Sequence, residues 1–168
     1  GREGARLDGE VIVVDNASGD GSAERIARWL AARPEAPVRL IRSPVNSGFS
    51  GGHNQTIARS ATEYVLVLNS DAELRPGCLA ALLSTAAADP AAGIVSARLE
   101  GADGAPQTSC FRFPTPASEV IRGAATGGVT RLLARWNVPL GPDPDPGRID
   151  WTAFACVLLR REMIEAIG

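Results

Sequence analysis

The apolar run Tyr64–Leu68, YVLVL, gives way abruptly to a polar cluster, Asn69-Ser70-Asp71, followed by Glu73. Val65, Leu66, Val67 and Leu68 do not alternate with polar residues, so the run predicts a strand covered on both faces, as in a parallel sheet. A helix follows from near Pro76, with Leu79, Leu82, Leu83 and Ala86 on one face, and Asp89-Pro90 breaks it. Upstream, Glu10–Val14 predicts a short strand ending in the polar, glycine-containing turn Asp15–Ser22. Asp20 or Ser22 caps a helix over about Ala23–Ala32, with Ile26, Ala27, Leu30 and Trp29 as its apolar positions. Pro34 and Pro37 end it, and Val38–Ile41 predicts a second strand. The glycine-rich loop Arg42–Asn54 leads to a helix over about Gly52–Ala61. Two successive strand–helix–strand steps imply parallel strands joined by right-handed crossovers.

Beyond the central strand the pattern changes. Gly93–Leu99 reads as a strand, and Asp103-Gly104 signals a hairpin to Pro106–Phe111. Ser118–Trp136 is helical in pieces, interrupted at Thr126-Gly127-Gly128, and Asn137–Arg148 reads as an exposed irregular loop. An apolar stretch then runs from Ile149 through Leu159, with a helix starting at Arg160. The expected fold class is α/β: a mostly parallel, Rossmann-like sheet flanked by helices, with a small antiparallel ribbon.

Composition narrows the functional classes. At 168 residues the chain suits one domain, and 45% apolar with 21% charged residues describes a globular protein. The net charge of -2 gives no basic footprint for nucleic acid, and all 17 basic residues are arginine. Cys78, Cys110 and Cys156 are widely spaced, fitting neither a disulfide framework nor a zinc knuckle and suggesting a reducing compartment. No apolar run approaches the ~20 residues of a membrane span, and no signal peptide is visible. The polar start GREGARLDGE without an initiator methionine, and an end directly after a helical segment, suggest a fragment of a larger protein.

Candidate chemistry gathers at strand ends, where ligands bind in open α/β sheets. Asp15 and Asp71 are each expected at the carboxyl end of a strand in one sheet, where two carboxylates line one crevice. Such a pair suits a nucleoside diphosphate conjugate, one acid meeting a hydrogen-bonding group and the other bridged by a divalent cation to the anionic part. It also suits a phosphatase or a glycoside hydrolase, and Asn69, Ser70 and Asp71 can equally turn the chain and cap a helix. The loop with Gly48, Gly51 and Gly52 offers backbone N–H groups to an anion or is a plain connection; it matches neither GxxxxGK[ST] nor GxGxxG. His53, the sole histidine, is a helix-cap or loop residue or a ligand contact. Arg112 either reaches a phosphate or sits on the surface between two packed aromatics. Trp151 beside Asp150 lines a pocket or closes a core rim. No Ser-His-Asp order, G-x-S-x-G elbow or Cys-His pair supports nucleophilic catalysis.

Five segments, in order, resemble family 2 glycosyltransferases of the GT-A fold, and within them the bacterial rhamnosyltransferase-like branch. They are EVIVVDNASGDGS at Glu10–Ser22, NSGFSGGHN at Asn46–Asn54, EYVLVLNSDAELRPGCL at Glu63–Leu79, the DGAPQTSCFRFPTP region at Asp103–Pro116, and DWTAFACVLLRR at Asp150–Arg161. The resemblance implies a single, partial GT-A domain over 1–168. It implies that Asp15 contacts the nucleotide base, with Asn16 and Ser18 shaping the loop, and that Asn46, Gly48 and Asn54 lie near the donor. Asn69-Ser70-Asp71 corresponds to the DxD-like motif, whose last acid, Asp71, holds Mn²⁺ or Mg²⁺. Asp150 and Trp151 fall near the donor sugar or the acceptor end. The implied reaction is inverting hexosyl transfer from a nucleoside-diphosphate sugar, such as dTDP-rhamnose or a UDP-sugar, to a cell-envelope glycan or lipid-linked acceptor. The implied place of action is the cytoplasm, at the inner face of the membrane. A first strand is expected before residue 1 and the catalytic base beyond Gly168, so no base is nominated. Thr56 departs from a frequent glycine and Phe154 from a frequent small residue, the latter bearing on acceptor preference. Two other readings are a noncatalytic nucleotide- or carbohydrate-binding module of the same fold, and a sugar-nucleotide nucleotidyltransferase, whose Gly-rich, basic first loop is not seen.

Overall fold

A computed structural model describes residues 9–124, 127–141 and 143–167. The chain divides by its internal contacts into two compact units, residues 1–62 and 63–168.

In the first unit, β1 (Val11–Asp15) and β2 (Val38–Arg42) pair in parallel, in register from Val11↔Val38 to Asp15↔Arg42. Between them runs α1 (Ser22–Ala31), entered through Gly21 at φ 77°. Ser22 N donates to Asp20 Oδ1 at 2.9 Å, and its hydrogen bonds hold the Asp20 carboxyl below the usual carboxylate range. Ala23 is buried and Ile26, Ala27 and Leu30 are half-buried, whereas Trp29 stays 44% exposed beneath the Arg33 guanidinium. The unit closes with α2 (Gly48–Ile57), which packs on β1.

The second unit is built on β3 (Tyr64–Leu68), α3 (Cys78–Ala88), β4 (Ile94–Ser96), the short strands β5 (Leu99–Glu100), β6 (Pro106–Gln107) and β7 (Cys110–Phe111), then α4 (Pro116–Ala124), α5 (Gly127–Leu132), β8 (Trp151–Thr152), β9 (Cys156–Arg160) and α6 (Arg161–Ile167). Its main sheet has the order β3-β9-β4, with β9 antiparallel to both neighbours. Leu82 and Ala86 of α3 pack against Cys156 and Leu158 of β9, with Leu66, Leu68, Leu74, Leu83 and Val95 around them. Arg160 secures the end of this core: its guanidinium donates to Ala86 O at 2.5 Å, Ala92 O at 3.2 Å and Tyr64 Oη at 2.9 Å. No helix among the described residues is long and apolar enough to cross a membrane.

The expected mostly parallel sheet is not found. One of the four sheets among the described residues is parallel and three are antiparallel. An unbroken apolar run reports burial on two faces, not strand direction, and the most buried strand is β9, in which Cys156, Val157, Leu158 and Leu159 are all buried, rather than Tyr64–Leu68. The second expected strand–helix–strand step also fails, because β2 and β3 lie in different sheets. Helix α2 begins at Gly48, not Gly52, since an Asn46-based turn starts it earlier. The Asp103-Gly104 hairpin is present, but it joins β5 to β6, with β4 separate. Asn137–Arg148 is less irregular than expected: Val138 O accepts from Arg112 N and Leu140 N donates to Cys110 O, laying this stretch beside β7. Of the interruption expected at Thr126-Gly127-Gly128, Gly127 and Gly128 lie in α5, while Thr126, like Gly168, lies outside the described residues.

Candidate functional site

Asp15 ends β1, is 9% exposed, and its carbonyl accepts the Ser43 N–H at 2.8 Å. Its carboxylate has no hydrogen-bond partner among the described residues. The next residue is tied down completely. Asn16 Nδ2 donates to Asn46 Oδ1 at 3.0 Å and Gly48 O at 2.9 Å, while Asn16 Oδ1 accepts from Ser47 N at 3.0 Å and Ser47 Oγ at 3.1 Å. Both donors and both lone pairs of one amide are thereby used on one turn. Asn46 Oδ1 also accepts Gly48 N, at 2.9 Å, and Gly48 takes the left-handed φ of 71° that this closure needs. Gln55 Nε2 reaches back to the buried Ser43 Oγ at 3.2 Å, and Ser43 Oγ donates to Val45 O at 2.7 Å. A side chain at Gly51 would stand 2.6 Å from Ser47 Cβ, so its absence lets α2 rise directly against the turn.

Asp15 thus ends β1 directly before a loop braced by Asn16 and Asn46, whereas Ser18 and Asn54 are exposed with side chains unengaged among the described residues. The sequence singled out Asn16 and Asn46 but missed Ser43, Ser47 and Gln55; the Asn-Ser-Gly tripeptide at 46–48 was the available signal for the turn. His53 is neither a cap nor a loop residue. It lies within α2, its ring edge-on to Phe49 at 4.4 Å, and burial pushes its pKa down.

In the second unit, Asn69-Ser70-Asp71-Ala72 forms a tight turn closed by Ala72 N to Asn69 O at 3.1 Å, and Asn69 N donates to Ala155 O at 2.9 Å. The exposed Asp71 carboxylate has no partner among the described residues, and no cluster of three or more metal-ligating side chains is found there. One accessible carboxylate on a fixed turn fits a cation shared with a diphosphate, because Mg²⁺-like ions take few protein ligands and complete their shell with phosphate oxygens and water. Asp15 and Asp71 do not end strands of the same sheet: β1 belongs to the parallel pair and β3 to the β3-β9-β4 sheet.

Asp150 and Trp151 lie where β8 meets β7. Asp150 Oδ2 accepts Phe113 N at 2.8 Å and stands 3.6 Å from Arg112 Nε, an ion pair too long for a hydrogen bond. That Nε is sealed from solvent without a hydrogen-bond partner. Arg112 is therefore held between Asp150 and Arg135 O, at 3.5 Å, and not free on the surface. A shallow groove lined by Val13, Arg25, Ile26, Trp29 and Val38 contains none of these candidate residues.

An α/β chain with a βαβ unit, a braced Asp–Asn loop and an antiparallel second unit carrying the Asn-Ser-Asp turn is a protein of the GT-A kind. The chain belongs to glycosyl transferase family 2, which it matches over residues 5–168. It is 26% identical over 174 residues to the N-acetylglucosaminyl-diphospho-decaprenol L-rhamnosyltransferases of two Mycobacterium tuberculosis strains, covering 94% of this chain and 54% of each relative. The chain thus spans about half the length of the curated relatives it matches. Among solved structures it resembles a mannosyltransferase from Pyrobaculum calidifontis in complex with GDP-Man and Mn²⁺, with a TM-score of 0.56 and 24% identity over 95% of this chain and 37% of that one. At that identity the likeness is one of fold.

Proposed function

We propose that residues 1–168 form one GT-A domain, the donor-handling part of an inverting, cation-dependent hexosyltransferase that moves a sugar from a nucleoside diphosphate to a cell-envelope glycan or lipid-linked acceptor at the inner face of the membrane. The observation that carries this reading is the braced loop: family membership supplies the chemistry, and the Asn16–Asn46–Ser47 network holds a partnerless Asp15 carboxylate ready at the end of β1. In this reading Asp15 accepts a hydrogen bond from the base, Asn16 and Asn46 keep the loop in shape without touching the ligand, and Gly48 lets the backbone approach the donor. Ser18 and Asn54 border the nucleotide beside Asp15, Asn69 shapes the turn that carries Asp71, and Asp150 and Trp151 meet a sugar. Asp71 would hold Mn²⁺ or Mg²⁺. A cation bound there neutralises charge growing on the departing diphosphate. The rhamnosyltransferase names of the curated relatives favour a deoxyhexose donor and a polyprenyl diphosphate acceptor.

The test is metal-dependent turnover by the full-length protein carrying Asp71→Ala. The expected result is loss of the Mn²⁺-dependent rate by about 10²-fold or more, the scale on which removal of transition-state charge stabilisation acts, with an unchanged unfolding midpoint. Undiminished metal-dependent turnover would remove Asp71 from the mechanism and the reading with it.

A further inference from the structure

One stripe of α3 runs along one face of β9. Cys78, Leu82 and Ala86 stand four residues apart on the helix, and Cys156, Leu158 and Arg160 stand two apart on the strand. Four helical residues rise about 6 Å and two strand residues about 6.7 Å, so the two rows keep step over their length. At one end Ala86 O accepts the Arg160 guanidinium at 2.5 Å, and in the middle Leu82 and Leu158 share the buried cluster. The other end of the same register sets Cys78 against Cys156: Cys156 belongs to that cluster and Cys78 packs on it. Both are free thiols, Cys156 only 4% exposed and Cys78 half-buried. Burial, with the Cys78 thiol hydrogen-bonded beside it, pushes the Cys156 thiol up to about 11. The third cysteine, Cys110, lies in the β7–β8 ladder with its sulfur 4.0 Å from Thr152 Oγ1.

We propose that Cys78 and Cys156 are a peroxide-reactive pair that closes into a disulfide joining α3 to β9. The half-buried Cys78 is the sulfur that hydrogen peroxide reaches, and Cys156, buried and held as a thiol, is the resolving partner. The Cys78 thiolate attacks one peroxide oxygen and the O–O bond breaks, leaving a sulfenic acid. The other oxygen departs as water with the proton that Cys78 gave up. The Cys156 sulfur then displaces the sulfenic hydroxyl, which leaves as a second water with the Cys156 proton. Each thiol has lost one electron and the peroxide has gained both; a thiol reductant restores the pair by exchange. The bond acts on the segment before α3. Asn69 N already donates to Ala155 O, beside Cys156, at 2.9 Å. With Cys78 tied to Cys156 as well, the segment 69–78 is anchored at both of its ends to the start of β9, and the Asn69–Asp71 turn is locked with it.

The experiment treats the native full-length protein with hydrogen peroxide, digests it without reduction and identifies linked peptides by mass. The expected product is a Cys78–Cys156 peptide pair, lighter by two hydrogens than its separate parts and split by a thiol reductant. Cys78→Ser and Cys156→Ser should each abolish that pair, and Cys110→Ser should keep it. Hydrogen exchange of the amides in 69–78 should slow by about tenfold on oxidation and recover on reduction, because the lock suppresses local opening. Oxidation of Cys78 to sulfinic or sulfonic acid with no link to Cys156 overturns the pair, as do links to Cys110 that are as frequent as the link to Cys156. A Cys78–Cys156 link that leaves exchange in 69–78 unchanged overturns the lock. Peptide mapping of the unsubstituted protein decides the pair even where a serine variant fails to fold.

Discussion

Asn16→Ala tests whether the first loop is braced for a ligand or merely folded. The substitution removes four hydrogen bonds at once, to Asn46 Oδ1, Gly48 O, Ser47 N and Ser47 Oγ. Each is worth about 0.5–1.5 kcal/mol net, and because these groups are exposed, water replaces part of what is lost. A total of about 1–3 kcal/mol is expected. Where the loop must be re-ordered by the ligand, that cost enters the dissociation constant at about 1.4 kcal/mol per tenfold. Nucleoside-diphosphate affinity should therefore fall about 5- to 100-fold. Asn16→Asp separates bracing from bulk: its oxygens still accept from Ser47, but Gly48 O and Asn46 Oδ1 then face a carboxylate instead of a donor. It should recover less than half of the loss. Calorimetric titration with the nucleotide and urea unfolding read the two effects independently. Unchanged affinity in Asn16→Ala, together with stability within about 0.3 kcal/mol, would refute the bracing argument.

Further tests concern the frame. Arg160→Lys should cost about 2–4 kcal/mol in urea unfolding, because one ammonium cannot replace a planar fork serving Ala86 O, Ala92 O and Tyr64 Oη; a loss below about 0.5 kcal/mol would show the fork to be dispensable. His53 should titrate below the ordinary histidine value of 6.5. Since the folded state then binds fewer protons than the unfolded one, its contribution to stability is present above pH 6.5 and lost as pH falls through the folded pKa. A midpoint in the NMR titration at or above 6.5 would contradict its placement against Phe49. Burial, with Cys78 nearby, pushes the Cys156 thiol up to about 11 from 9.0. Between those values the unfolded chain ionises first, so stability should decline from about pH 9 towards pH 11. At pH 8 Cys156 should resist a thiol-specific reagent in the native protein, and reaction as fast as in urea would argue against its burial.

The local pattern of this chain was legible and its long-range pairing was not. Amphipathic spacing at Ile26, Ala27 and Leu30 located α1, and the apolar run Tyr64–Leu68 located β3. What the run could not carry was direction: Val65–Leu68 is flanked by apolar neighbours whichever way the partner strand travels, and the partner, Cys156–Arg160, lies about ninety residues on. The start of α2 was misplaced because a side chain thirty residues upstream, Asn16, holds the turn that begins it. Among candidate residues, the positions of Asp15 at the end of β1 and of Asp71 in the turn after β3 were legible, because each follows an unbroken apolar run. Arg112 was not, since its engagement depends on Asp150 and Arg135 meeting it from two distant segments.

The central claim is that the chain handles a nucleoside diphosphate with a cation. Thermal unfolding of the protein against dTDP, UDP, GDP and CDP, each with and without Mn²⁺, tests it most directly, because a ligand stabilises the state it binds. The account predicts a cooperative transition raised by one nucleotide, and only in the presence of Mn²⁺. A cooperative transition that none of the four moves, with or without metal, would contradict it.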